Sequence, residues 1–277
     1  MLGAIIGDIV GSRFEFHNHR NKKFDLFTKY NFYTDDSVCT CGIASSLLKI
    51  NNNKEKTDKE KSKLIANELR HFCIANPHRG YGGSFFHWIY TPNGKPYYSW
   101  GNGSAMRVSS VGWVANSEEE VKHLSHLVTA ITHDHPYALH GAEVTAMCIF
   151  YARQGKTKHE IYKYVKKEYP EIKYFDYNEL RKHYYFNEEA KNTVPQAIYC
   201  FLISNSFEDC LRTTVSIGGD TDTLCAISCA IAEAYYGIPE EFKTEILQYF
   251  TDKQKEMLLV PVNEIAKNCG IDNYIIL

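Results

Sequence analysis

Residues 216–236 read "SIGGDTDTLCAISCAIAEAYY". Gly218 and Gly219 precede two aspartates, Asp220 and Asp222, each followed by a threonine. From Thr223 to Tyr236 the apolar residues recur at helical spacing. The stretch reads as a glycine turn leading into a long helix with acid in its first turn, where the helix dipole favours negative charge. Two carboxylates this close still repel unless water screens them or a cation lies between them. The junction is either a solvated cap or half of a site.

The same helical period runs through most of the chain. Leu64, Ile65, Leu69, Phe72 and Cys73 share one face of 62–75, and Val121, Leu124, Leu127, Val128 and Ile131 share one face of 119–132. Similar spacing recurs in 38–49, 137–153, 195–204, 208–216 and 240–250. Ser117 with Glu120 forms a capping-box pattern, and Pro239 opens a helix led by Glu240 and Glu241. Sustained alternating patterns are nearly absent. The expectation is an all-α protein with few or no strands, organised as one domain over 1–277.

Two segments break the period. Residues 51–61, "NNNKEKTDKEK", read as an exposed loop or helix start with a solvated charge run. Residues 76–116 are rich in Gly, Pro and aromatics and read as a long loop. Trp88, Trp100 and Trp113 all fall there and argue against disorder.

The formal net charge of −2 gives no basic excess pointing to nucleic acid. The first sixteen residues lack a basic region ahead of their apolar run, which breaks at Asp8, so neither a signal peptide nor a membrane span is expected. The nine cysteines are an odd number without zinc spacing, so free thiols in a reducing, cytoplasmic setting are expected.

"TDD" at Thr34, Asp35 and Asp36 stands just ahead of another helix. Alone it is a helix cap. Together with Asp220, Asp222 and Thr223 it supplies four carboxylates and two hydroxyls, an all-oxygen set suited to a hard divalent ion, provided the two helix starts meet. In "GDIVGSRFEF", Gly7 and Gly11 allow close helix packing or backbone approach to a ligand, while Asp8 and Glu15 read as surface or capping acids. "WGNGSAMR" places Gly101, Gly103 and Ser104 as an anion cradle of backbone N–H groups. In "THDHP", His133 and His135 point apart on a helix, so one of them contacts ligand or caps.

Taken in order, "GAIIGDIVGSRFE", "YTDDS", "GYGGSF", "GNGSAMRV", "THDHPYALHGAE" and the 206–239 segment around "GGDTDT" resemble the ADP-ribosylglycohydrolase family, of the dinitrogenase-reductase-activating glycohydrolase type. The resemblance implies a compact multi-helix orthogonal bundle holding two Mg²⁺ or Mn²⁺ ions. It implies cleavage of the bond between ADP-ribose and an acceptor, commonly an arginine or serine side chain. Carried over by motif, Thr34, Asp35, Asp36, Asp220, Asp222 and Thr223 are the expected metal ligands. Gly101, Asn102, Gly103, Ser104, Met106 and His133 are the expected substrate contacts. Ser37 departs from the family's usual fourth threonine but keeps a hydroxyl.

The chemistry that follows is attack of an ion-activated water on C1″ of the distal ribose. Glu15, Asp36 and Asp220 are the expected catalytic acids, one of them serving as base or orienting the water. The expected partner is an ADP-ribosylated protein met by a monomer, without membrane or nucleic acid. The rival readings are a catalytically silent ADP-ribose-binding module and a phosphohydrolase using the same ions.

Overall fold

The protein is described by a computed structural model covering residues 1–52, 55–271 and 274–275. Its helices are α1 (Leu2–Gly11), α2 (Asp35–Asn51), α3 (Asp58–Ala75), α4 (Gly83–Tyr90), α5 (Ser109–Val114), α6 (Glu118–Thr129), α7 (Pro136–Arg153) and α8 (Lys158–Glu168). They continue with α9 (Tyr177–His183), α10 (Ala190–Ile203), α11 (Phe207–Ile217), α12 (Thr221–Tyr236), α13 (Glu240–Glu245), α14 (Asp252–Gln254) and α15 (Val260–Asn268). Among the described residues there is no strand beyond one isolated bridge between Gly101 and Glu189. The chain is all-α.

The opening stretch forms the centre. Every residue of α12 from Thr221 to Glu233 is buried, and the helix packs against α1, α7, α10 and α11. A helix apolar on all sides has to be enclosed, and this one is. α1 is buried along its whole length and lies directly on α12. Gly3, Gly7 and Gly11 share the contacting face, one turn apart. A Cβ on Gly7 would stand 2.3 Å from the Cys225 carbonyl oxygen, so the two backbones touch with no room for a side chain. This close approach carries the first glycine motif straight onto the aspartate junction.

Several elements differ from expectation for local reasons. Residues 76–116 contain α4, α5 and a 3-10 turn at Asn102–Ser104, with Trp88 and Trp113 buried and Trp100 largely exposed. α10 starts at Ala190, whose N–H donates to the Trp100 carbonyl, and carries Pro195 inside it. α6 stops at Thr129, short of Ile131. Ser117 accepts the Glu120 N–H, but the Glu120 carboxylate reaches back to Asn116 instead of closing a box. The 240–250 segment divides into α13 and a 3-10 turn. In the 51–61 segment, Asn51 ends α2 and Thr57 with Glu60 closes a capping box on α3. Positions 53 and 54 of that segment, and 272, 273, 276 and 277 of the expected domain, lie outside the described residues. All nine cysteines are free, and all but Cys269 are buried. Among the described residues, no helix is long and apolar enough to cross a membrane.

Candidate metal and substrate site

The starts of α2 and α12 meet. Thr34 is the N-cap of α2, and its hydroxyl accepts from the Asp36 N–H. Asp220 stands at the N-cap of α12, following Gly218 (φ 69°) and Gly219 (φ 86°), conformations that suit glycine. Thr223 Oγ1 lies 3.3 Å from Asp36 Oδ2, joining two motifs 187 residues apart. Asp36, Asp220, Asp222 and Thr223 are all buried.

Behind them stands an acid that the sequence reading left as an ordinary surface or capping residue. Asp8, in the middle of α1, has no exposed surface. Its carboxylate receives the Thr34 N–H (2.9 Å) and hydroxyl (2.7 Å), the Ser37 N–H (3.1 Å) and the Ser37 hydroxyl. Asp8 therefore caps α2 from another helix, and the hydroxyl kept at Ser37 is spent on it. The available signal was an acid set within the wholly apolar run "AIIGDIVG".

Two sets of carboxylate oxygens lie within 4.8 Å of one another: Asp8, Asp36 and Asp222, and Glu15, Asp220 and Asp222. The sets share Asp222. Burial, reinforced by Asp222 and Asp8, pushes Glu15 up to about 8. Burial pushes Asp220 to about 7, even though Asp222 and the Asn102 amide (2.6 Å) pull it back. Asp8 stands at about 6, raised by burial and lowered by its hydrogen bonds. Asp35, Asp36 and Asp222 are raised well above the ordinary aspartate range by burial and neighbouring carboxylates. Among the described residues, none of these acids is in an ion pair.

Asp36 Oδ1 is buried without any hydrogen-bond partner. A carboxylate oxygen in that state is costly unless a cation supplies the missing partner. The donor set thus fits hard divalent ions, all ligands being oxygen.

In front of the carboxylates lies a pocket of about 360 Å³. Glu15, Asp35, Asp36, Asp220, Asp222 and Thr223 form its acidic floor. Gly101, Asn102, Gly103, Met106 and His133 line another side. Thr34 and Ser104 do not line it: Thr34 is turned to Asp8, and Ser104 is fully buried with its hydroxyl on the Gly101 carbonyl. The N–H groups of Gly101, Asn102 and Ser104 already donate within the protein, to Ser99 Oγ, the Glu188 carbonyl and the Gly101 carbonyl. Gly103 is the open stretch of backbone, where a Cβ would lie 3.2 Å from His133 Nε2.

His133 is held by a short hydrogen-bond chain. Arg107 donates to Thr132 Oγ1 (2.6 Å), and that hydroxyl sits 2.7 Å from His133 Nδ1. With the Thr132 hydroxyl hydrogen directed to Nδ1, Nε2–H is the donor beside Gly101 and Gly103. Burial and then Arg107 hold the imidazole well below its usual range, so it stays neutral. His135 takes the other role, its ring accepting the Tyr137 N–H at the start of α7. Phe85, Tyr97, Tyr98 and Trp100 complete the mouth. Tyr98 holds φ at 56°, a left-handed conformation uncommon outside glycine, and its N–H donates to Asp134.

A larger cavity of about 950 Å³ lies among α2, α6 and α15 and shares no residue with this site. Among the described residues it has no comparable convergence of carboxylates.

A family model described as ADP-ribosylglycohydrolase matches residues 1–267. The chain is similar to "ADP-ribosylhydrolase ARH3" of Homo sapiens, 27% identical over 326 residues, with 88% of this chain and 86% of that protein covered. It is 26% identical to "ADP-ribosylhydrolase ARH3" of Mus musculus over 324 residues, covering 88% and 85%. A solved structure titled "ADP-ribosylglycohydrolase-related protein complex" matches with a TM-score of 0.64 at 20% identity, over 94% of this chain and 93% of that one. At that identity the likeness concerns the fold.

Proposed function

The chain belongs to the ADP-ribosylglycohydrolase family, and from that premise we propose that it uses two Mg²⁺ or Mn²⁺ ions to hydrolyse the bond between ADP-ribose and an acceptor such as an arginine or serine side chain. One observation carries the metal reading. Two aspartate motifs from opposite ends of the chain meet at Thr223 and Asp36, and Asp36 Oδ1 is left buried without a partner. Asp35, Asp36, Asp220, Asp222 and Thr223 would hold the ions, with Thr34 closing the α2 end. Asp222, common to both acid sets, is the natural shared ligand. Asp8 already accepts four hydrogen bonds and is better suited to holding α2.

When bound, the ions would neutralise this charge and lower the pKa of a water toward neutrality. The residues supply the rest. Asp36 and Asp220 would position the distal ribose and hold the attacking water against its C1″. Glu15, half-buried beside Asp220 and Asp222, is placed to take a proton from the attacking water. His133 Nε2–H donates to a phosphate oxygen, and Gly103 lets the diphosphate approach the backbone. Asn102 holds Asp220 from the substrate side, and Met106 packs 4.0 Å from the Thr223 hydroxyl.

We read 1–277 as one domain because a single hydrophobic cluster runs from α1 to the Tyr274–Ile275 segment. We expect it to act as a monomer on an ADP-ribosylated protein in the cytoplasm. The test is release of ADP-ribose from ADP-ribosyl-arginine and ADP-ribosyl-serine peptides. Release should stop in chelator and return with Mg²⁺ or Mn²⁺. Binding of ADP-ribose with no release from any acceptor would favour a silent binding module instead.

A further inference from the structure

We propose that Arg20, aided by Asn18, is a positioning residue that sets the Gly218–Gly219 turn and so aims Asp220 and Asp222. The inference rests on the metal reading above.

The loop between α1 and α2 carries Glu15 at its start and then straps along α11. Arg20 reaches from it to two carbonyls, that of Ile217 at the C-terminal end of α11 and that of Tyr184, 2.6 Å away. The end of a helix leaves carbonyls without partners and carries partial negative charge, so a guanidinium is favoured there. Asn18 Oδ1 accepts the Gly219 N–H at 2.7 Å. Between them these two side chains engage the residues immediately before Asp220. The fit is tight: a Cβ on Gly218 would lie 2.5 Å from Asn18 Oδ1 and 2.8 Å from the Arg20 guanidinium carbon. A Cβ on Gly219 would lie 2.5 Å from the Tyr184 ring.

Each segment that Arg20 joins also bears a group facing the site. The strap carries Glu15, and the turn leads to Asp220 and Asp222. The stretch after Tyr184 carries Glu188, whose carbonyl receives the Asn102 N–H while the Asn102 amide holds Asp220. Asp220 is therefore fixed from the pocket side by Asn102 and from behind by the Arg20 turn. The strap has further anchors of its own. Lys22 pairs with Asp209 at 2.9 Å, and Arg212 donates to the Lys22 and Phe24 carbonyls. Loss of Arg20 should thus leave the strap docked and free only the turn.

Outer partners that orient metal ligands are worth about 10–100-fold in metal affinity. Mn²⁺ titration by calorimetry on the full chain tests the assignment, with Tm measured separately in chelator. Arg20→Ala should weaken Mn²⁺ binding about 10–100-fold, and Arg20→Lys should recover part of it, since an ammonium keeps the charge but lacks the planar fork that sets two N–H groups toward separate carbonyls. Asn18→Ala, at an exposed side chain, should weaken binding in the same direction with the fold intact. Lys22→Ala, which loses a partly exposed ion pair with Asp209 and the ammonium's contact with the Tyr177 ring, should bind Mn²⁺ as the wild type does. Wild-type affinity in both Arg20→Ala and Asn18→Ala, or an equal loss in Lys22→Ala, would show that the strap acts only on stability and would overturn the proposal. A wild-type protein that binds no Mn²⁺ would overturn the metal reading and this inference with it.

Discussion

Gly7→Ala adds one methyl group where α1 touches α12. Its Cβ would stand 2.3 Å from the Cys225 carbonyl oxygen, 2.5 Å from that carbonyl's carbon and 2.9 Å from the Ala226 nitrogen. All three are backbone atoms, so no rotamer change can relieve the contact, and the helices must part by about 1 Å to restore ordinary packing. Two effects oppose each other. Alanine gains about 1 kcal/mol over glycine in helix propensity. Overpacking costs about 1–3 kcal/mol, and a clash confined to backbone belongs at the upper end. The net loss is about 2 kcal/mol, or roughly 4–8 °C in Tm for a chain of this size. The functional cost should exceed the stability cost, because α1 carries Asp8 and leads to Glu15 while α12 carries Asp222. A 1 Å misplacement of such groups costs about 100-fold in rate. Gly3→Ala and Gly11→Ala provide the gradient. Gly3 meets Cys229 far along α12, and Gly11 meets Thr221 and Asp222 beside the site. All three variants should lose similar Tm, while kcat/KM should fall most in Gly11→Ala and least in Gly3→Ala. Thermal unfolding and ADP-ribose release measure the two sides. A Gly7→Ala protein with unchanged Tm, or equal activity losses at all three glycines, would refute the reasoning.

Asp220→Asn and Asp36→Asn should abolish hydrolysis while leaving Tm in chelator unchanged or raised, because each puts a neutral amide in place of a buried acid whose ionisation its surroundings oppose; full activity of either at saturating Mg²⁺ or Mn²⁺ would sink the ligand assignment. Asp8 and Asp220 stand at about 6 and about 7 in the native state, against about 4 unfolded. The native metal-free protein therefore holds more protons between about pH 4 and 8, and its stability should fall as pH rises through that range. Mn²⁺ affinity should rise over the same interval, since ligation at Asp220 displaces its proton; a chelated protein more stable at about pH 8 than at about pH 5 contradicts the first expectation, and Mn²⁺ affinity that falls over that range contradicts the second. His133→Ala removes a donor aimed at an anion, worth about 1.5–3 kcal/mol, so kcat/KM should fall roughly 10–100-fold with Mn²⁺ affinity unchanged, and a coupled loss of Mn²⁺ would place His133 elsewhere.

The parts of the fold legible in the sequence are those that repeat locally. α3, α6, α11 and α12 announce themselves through one-sided or continuous apolar runs and through acids or hydroxyls at their starts. α1 is apolar on every side and offers no period to read, although its glycines mark the contact it makes. α8 is polar enough to pass as loop, yet its Thr157–Glu160 capping box was present in the sequence. The two aspartate motifs were visible as helix starts with too much acid. Their meeting was not, because the Thr223–Asp36 contact spans 187 residues and no local preference encodes it. Asp8 and Arg20 were missed for related reasons. A buried acid that caps another helix looks like any acid on its own helix, and a strap without regular structure gives no pattern from which to place its arginine. The "WGNGS" loop shows the opposite error, since most of the N–H groups that its glycines suggest for an anion are engaged within the fold.

The central claim is that the aspartates at 35–36 and 220–222 form one binuclear centre. Anomalous diffraction from crystals grown with Mn²⁺ tests it most directly. The account predicts two peaks about 3.5–4 Å apart, one nearer Asp36, one nearer Asp220 and both within reach of Asp222. A map with no peak among these carboxylates, or with ions bound only elsewhere on the chain, would contradict it.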